Sequence, residues 1–257
     1  MRARGLLPDR PDGRDYRFRD VREGLLGSSG AQLNRLQSAD TLSIMSPVRN
    51  QKNLSSCTAF SVGVGLIESL MIEHLKDDPR PVSPLFLYYC TRSLSRQTSL
   101  DEGATMRDAM KAAAEFGVCP EDEWSYDTNL WSKRPPRSAY SSAKKNRIQK
   151  YYRVHDFEDI KAAIACQNPV VLGLHIFESF ERGEVNRTGR APMPNFEKEK
   201  YLGGHAVVAC GWDNRTSQVL IRNSWGTRYG EDGYVYVPYE YFDPDLRLVV
   251  DMWTATA

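Results

Sequence analysis

The longest apolar run in the chain begins at Cys57 and continues through Thr58-Ala59-Phe60-Ser61-Val62-Gly63-Val64-Gly65-Leu66-Ile67 to Leu70 and Met71. It is apolar on nearly all sides, which predicts a helix buried centrally with Cys57 in its first turn. A second helix is predicted from Val82 to Leu94, opened by Ser83-Pro84, because proline is tolerated in a first helical turn. A third follows Gly103, with Met106, Ala109, Met110, Ala113 and Phe116 at helical spacing before the stop Gly117. Beyond a short helical piece around Phe157 to Cys166, the pattern changes to apolar runs at Pro169–Leu174, Ala206–Cys210 and Val219–Ile221. An alternation through Gly233-Tyr234-Val235-Tyr236-Val237 follows. These read as antiparallel strands separated by turn signals such as Asp213-Asn214. Helices first and strands later predict an α+β protein of two lobes, a helical one over about 56–130 and a β lobe over about 150–257. Residues 1–33, rich in Arg, Asp, Gly and Pro, show neither period and read as an extended N-terminal arm ahead of a domain spanning 34–257.

Composition narrows the function classes. The 257 residues carry 34 Lys plus Arg against 33 Asp plus Glu, so no global field draws nucleic acid or an anionic membrane. The basic run Lys144, Lys145, Arg147, Lys150 and Arg153, with Tyr151 and Tyr152, therefore reads as a solvated face. No stretch has the length of a transmembrane helix, and the first residues lack a signal-peptide apolar core. The five cysteines, Cys57, Cys90, Cys119, Cys166 and Cys210, are widely spaced and odd in number. That pattern suggests neither a full disulfide framework nor a metal site and favours a reducing compartment such as the cytosol.

A thiol is nucleophilic as thiolate, and a helix N-terminus beside an imidazolium lowers its pKa. Cys57 stands where a helix begins. Six residues upstream, the Gln51 side-chain amide could join the Cys57 backbone N–H as a pair of oxyanion donors. His74 and His155 lie in polar contexts, and His175 falls in an apolar strand as a core histidine. His205 follows Gly203-Gly204 and opens the strand Ala206–Ala209, which fixes its ring. Asn223 ends a second apolar strand, from which its amide could set the histidine tautomer, with Trp225 shielding the bond from water.

Gln51, Cys57, Gly204-His205-Ala206 and Asn223-Ser224-Trp225-Gly226, in this order, resemble the catalytic blocks of the papain-like cysteine peptidases. His205 follows Cys57 by 148 residues (205 minus 57), within the range of about 130 to 150 for that family. Similar blocks occur at Val82–Cys90, at Asp101-Glu102-Gly103 and at Gly226–Tyr234, so the likeness spans roughly residues 36 to 242. Where the family signature has Cys, Gly, Ser, Cys, Trp, this chain has Leu54, Ser55, Ser56, Cys57, Thr58. The family disulfide from the first of those cysteines is thus ruled out, and Cys90 stands where its partner would be. The likeness is to a disulfide-poor, prokaryotic or viral-type branch.

The resemblance implies a papain-like two-lobe fold with the cleft between the lobes. It implies peptide hydrolysis through a thioester, with Cys57 as nucleophile, His205 as acid and base, Asn223 orienting it and Gln51 holding the oxyanion. It also implies that Gly103 offers its backbone to an extended peptide, that Ala104 and Thr105 line the pocket for the residue before the cleaved one, and that Ser56, Gly204 and Trp225 complete the substrate contacts. Neither metal nor cofactor is expected, and the expected partner is a peptide or protein substrate bound by a monomer. The rivals are an exopeptidase or transpeptidase on the same scaffold and a catalytically silent peptide-binding homologue. Residues 1–33 are expected to form an inhibitory or regulatory arm on or near the cleft, as in a zymogen, anchored by Leu6 and Leu7 or by Tyr16 and Phe18; a disordered or surface-packed tail is the alternative. The stretch Gly183 to Gly203 is expected to be a long loop, either a flap over the cleft or a surface insertion.

Overall fold

The computed structural model describes residues 3–26, 35–75 and 80–256. The helical half follows its sequence signals closely. The Cys57 helix begins as an α-turn over Cys57–Ala59, widens into a π-helical stretch over Phe60–Ile67 and resumes as α-helix over Glu68–Leu75. Every residue from Ser56 to Leu70 is buried, which explains the lack of a polar stripe. The second helix spans Pro84–Leu94 and is capped by the Ser83 hydroxyl, which accepts from the Phe86 N–H at 3.1 Å. Thr105 caps the third, Met106–Glu115, in the same way through the Asp108 N–H at 3.0 Å.

The β half is one sheet in the order β4 (Lys150–Arg153), β9 (Val249–Thr256), β5 (Val170–Phe177), β6 (Tyr201–Asp213), β7 (Gln218–Arg222) and β8 (Tyr234–Pro238). A short β2 (Ser38–Asp40) also pairs with the far end of β6, and every pairing in this sheet is antiparallel. One hydrophobic core joins the Cys57 helix to Phe86, Met106 and Met110; another gathers Phe18, Ile160, Leu172, Val207 and Trp225 within the β half. The architecture is the expected α+β pair of lobes.

Three readings change. The strands β4 and β9 and the short β2 were not legible. The basic run splits: Lys144, Lys145, Arg147 and Lys150 are exposed, whereas Tyr152 is buried and Arg153 pairs with Asp9 at 2.5 Å and Asp251 at 2.7 Å. The Gly183–Gly203 stretch is not a plain loop. It starts with a helix over Gly183–Thr188, is tied to β8 by the Ala191 N–H to Tyr236 carbonyl bond at 2.9 Å, and ends inside β6.

The N-terminal segment is extended, as its lack of periodicity implies, yet it is not a loose tail. Leu6–Leu7 form β1, which pairs in parallel with β3 (Ala104–Thr105) from the helical half. The Asp9 carboxylate, fully buried, accepts from the Arg107 backbone N–H at 3.0 Å and from Trp253 Nε1 at 2.9 Å besides Arg153. Phe18 is wholly buried in the β-half core, while Tyr16 is 72% exposed, so only Phe18 of that pair is an anchor. Arg19 and Arg22 reach Asp156 at 2.8 Å and Asp159 at 3.0 Å. The boundary expected at residues 33 and 34 lies outside the described residues. Cutting there would also remove a core aromatic. Phe18→Ala is accordingly expected to cost about 3–5 kcal/mol of unfolding free energy, read as a lowered urea midpoint; an unchanged midpoint would mean that the segment packs without contributing to the fold.

Candidate active site

Helix start and sheet converge on one line of buried side chains. Cys57 sits at the first residue of the central helix and His205 lies on β6, and neither has exposed surface. Asn223 follows the last residue of β7, the antiparallel neighbour of β6, so the pairing itself brings histidine and asparagine together. His205 Nε2 lies 2.8 Å from Asn223 Oδ1. That oxygen also accepts the Ser224 backbone N–H at 2.7 Å, which fixes the amide orientation. An amide oxygen only accepts, so Nε2 carries the ring proton and Nδ1 is the basic nitrogen. The Trp225 indole stacks on the imidazole at 4.5 Å between centroids, and Phe180 and Tyr229 both pack edge-on against the indole.

The end of β7 is held by a buried cation. Arg222 donates to the Val64 carbonyl at 3.2 Å and the Pro47 carbonyl at 3.0 Å, tying the strand that carries Asn223 to the Cys57 helix and to the segment leading into Gln51. Gln51 itself is buried. Its Oε1 accepts from Ser224 Oγ at 2.6 Å, and its Nε2 donates to Leu54 O at 2.9 Å and to Ala3 O at 3.3 Å. Tyr126 Oη donates to the Gln51 carbonyl at 2.7 Å and lies 2.6 Å from Ser56 Oγ, so one phenol joins the Gln51 turn to the residue before Cys57. Ser224 and Tyr126 were missed as site residues. Ser224 lay in view inside the Asn223-Ser224-Trp225 block, whereas nothing local marks Tyr126.

Four of the expected substrate contacts, Gly103, Ala104, Thr105 and Gly204, are occupied by the chain's own N-terminus, whereas Ser56 meets Tyr126 and Trp225 stacks on His205. Ala104 N–H donates to Gly5 O at 2.8 Å, so it is the residue after Gly103 that offers this bond. A Cβ on Gly103, where φ is +90°, would come within 2.0 Å of Gly5 O. A Cβ on Gly204 would meet Leu6 O at 2.8 Å, and the Leu6 side chain packs against Gly173 and Val250. Thr105 pairs with Leu7 while capping its helix. The Asp101-Glu102-Gly103 turn also braces the nucleophile loop, since Asp101 Oδ1 accepts the Ser55 N–H at 3.0 Å.

The electrostatics of Cys57 differ from those expected of a bare helix start. Burial pushes its thiol up to about 11, against the opposing pull of the Ala206, Gly5 and Thr58 backbone N–H groups. Burial thus opposes the thiolate that a bare helix start would favour. Burial likewise raises the other four cysteines, and all five are free. No described helix is long and apolar enough to cross a membrane.

A two-lobe α+β fold with a cysteine at a central helix start and a His–Asn pair on adjoining strands defines the class, and the comparisons agree. The model of the papain family cysteine proteases matches residues 35–242. An uncharacterized peptidase C1-like protein of Acanthamoeba polyphaga mimivirus is 36% identical over 79% of this chain and 68% of its own length. Cathepsin K of Gallus gallus is 28% identical, covering 74% of this chain and 54% of that protein. The crystal structure of xylellain, a cysteine protease from Xylella fastidiosa, superposes with a TM-score of 0.83 at 31% identity, covering all of this chain and 98% of the other. This chain belongs to the papain family of cysteine proteases.

Proposed function

We propose that the protein is a cysteine endopeptidase whose own N-terminal segment, docked backwards, keeps it inactive. In this reading the Cys57 thiolate attacks a peptide carbonyl, Gln51 Nε2 and the Cys57 N–H hold the oxyanion, and His205 protonates the leaving amine and then activates water. Asn223 keeps Nδ1 of His205 as the working nitrogen, and Ser224 and Tyr126 hold Gln51 in place. The observation that carries the reading is the Nε2–Oδ1 bond between His205 and Asn223 beneath the Trp225 ring.

The polarity of the arm supports the inhibitory part. In a substrate, residues on the acyl side precede the cleaved bond and would lie at Ala104 and Thr105. In the arm it is the later residues, Leu6 and Leu7, that lie there, while Ala3 reaches Gln51. An N–H, that of Gly5, thus faces the sulfur where a carbonyl carbon would be required. The arm also runs along the cleft on both sides of Cys57, which favours an endopeptidase over an enzyme closed to one chain end. A catalytically silent homologue has no use for the complete Cys57, His205, Asn223 and Gln51 set.

Leu6, buried between Gly173 and Val250, suggests what the acyl-side pocket accepts. A library of internally quenched peptides is expected to show leucine favoured over aspartate or glycine before the cleaved residue by at least about tenfold in kcat/KM, since burying a leucine side chain is worth about 1.5–3 kcal/mol. No preference at that position would remove the pocket assignment.

A further inference from the structure

The leaving-group side of the cleft carries a carboxylate that the reaction itself does not use. Glu181 follows Phe180, whose ring packs on Trp225, which in turn stacks on His205. Its neighbour through space is Arg4, whose guanidinium pairs with Glu181 Oε1 and also donates to the Leu202 carbonyl at 2.8 Å. The two side chains are 7% and 18% exposed, so this ion pair is largely withdrawn from water. Arg182, next in sequence, is engaged elsewhere, with Glu199 at 3.3 Å. Among the described residues Arg4 is the one cation within ion-pair distance of Glu181.

The position along the cleft gives the pair its meaning. Gly5 lies over the sulfur, and Leu6 and Leu7 lie on the acyl side. Arg4 and Ala3 therefore occupy the ground that a substrate's leaving half would take. When the arm departs, Glu181 loses its partner in a half-buried place where an uncompensated charge is costly, and the next cation to enter restores the compensation. The Leu202 carbonyl offers a second acceptor suited to the several donors of a guanidinium.

We infer that Glu181 is a specificity-determining residue that selects an arginine within the first two residues after the cleaved bond, and that Arg4 mimics this side chain in the arm. The inference rests on the peptidase reading above and extends it to the substrate's leaving half.

The test uses the full chain and internally quenched peptides with one common acyl half, carrying arginine or glutamine at the first or the second leaving-side residue. Arm occupancy scales kcat/KM for all peptides by the same open fraction, so the Arg-to-Gln ratio is independent of it. The ratio is expected to be about tenfold at one of the two positions at low ionic strength, to shrink with added salt, and to fall to near one in Glu181→Gln. In Arg4→Ala both rates should rise together with the ratio intact. A residue that merely anchored the arm would shift all rates and leave the ratio alone. A ratio near one at both positions in the unaltered chain, or a tenfold ratio that survives Glu181→Gln, would overturn the inference while leaving the peptidase reading intact. Failure to cleave any peptide, even in Arg4→Ala, would remove both.

Discussion

Gly5→Ala in the full chain is expected to accelerate peptide hydrolysis on the order of a hundredfold. A Cβ at this position would lie 2.0 Å from the Ser55 backbone oxygen, in a loop that Asp101 and the start of the Cys57 helix hold in place. This wall is not the flexible end of a side chain, so the docked arm must lift. What it loses on lifting sets the size of the effect. Burial of Leu6 alone is worth about 1.5–3 kcal/mol, and the Arg4–Glu181 pair and the Gly5–Ala104 backbone bond add to it. About 3 kcal/mol corresponds to an open fraction of roughly one in a hundred or less in the unaltered chain. The matched control is Gly13→Ala, since a Cβ there meets nothing within 4 Å, and its rate should equal that of the unaltered protein. Equal rates for Gly5→Ala and Gly13→Ala would mean that the arm does not gate the cleft.

Cys57→Ala should remove hydrolysis altogether, a fall on the order of 10⁴-fold or more, because no other group can form the thioester. Made on the Gly5→Ala background, it separates loss of the nucleophile from closure by the arm. Asn223→Ala on the same background should leave measurable turnover, because it frees the imidazole to choose the wrong tautomer without deleting the base. Its loss should therefore stay within the about 10²–10⁴ that a positioned general base supplies. Undiminished cleavage in Cys57→Ala would contradict the assignment of the nucleophile.

The parts of this site that were legible in the sequence are those whose signals are local. Ser83-Pro84 and Gly117 each write a helix end into a few adjacent residues, and the second helix begins and the third stops there. Cys57, His205 and Asn223 were legible because each adjoins an apolar run in the sequence, although β6 begins at Tyr201 and so places His205 inside the strand rather than at its opening. The strand β9 was not, because Asp251 adopts φ of +50° and the register against β5 shifts between Val171 and Gly173, which breaks the alternation that marks a strand. β4 is four residues reading Lys-Tyr-Tyr-Arg at a sheet edge, which resembles a solvated face until Asp9 and Asp251 arrive from distant parts of the chain.

The same distinction explains the remaining gaps at the site. Tyr126 acts through a hydroxyl delivered by a loop 70 residues from Ser56, and no spacing in the sequence encodes that meeting. The expectation of a lowered Cys57 pKa rests on the helix start alone, whereas burial of the thiol pushes the pKa up. The arm in turn lacks periodicity because its partners, Ala104, Gly204, Arg107 and Trp253, are all supplied by other elements.

The most direct test of the central claim is intact-mass analysis, followed by peptide mapping, after incubation of the full chain with a peptidyl epoxide at neutral pH. The account predicts a single adduct on Cys57, formed slowly in the unaltered protein and on the order of a hundredfold faster in Gly5→Ala, with Cys90, Cys119, Cys166 and Cys210 unmodified. An adduct on any of those four at a comparable rate, or no adduct on Cys57 once the arm is displaced, would contradict it.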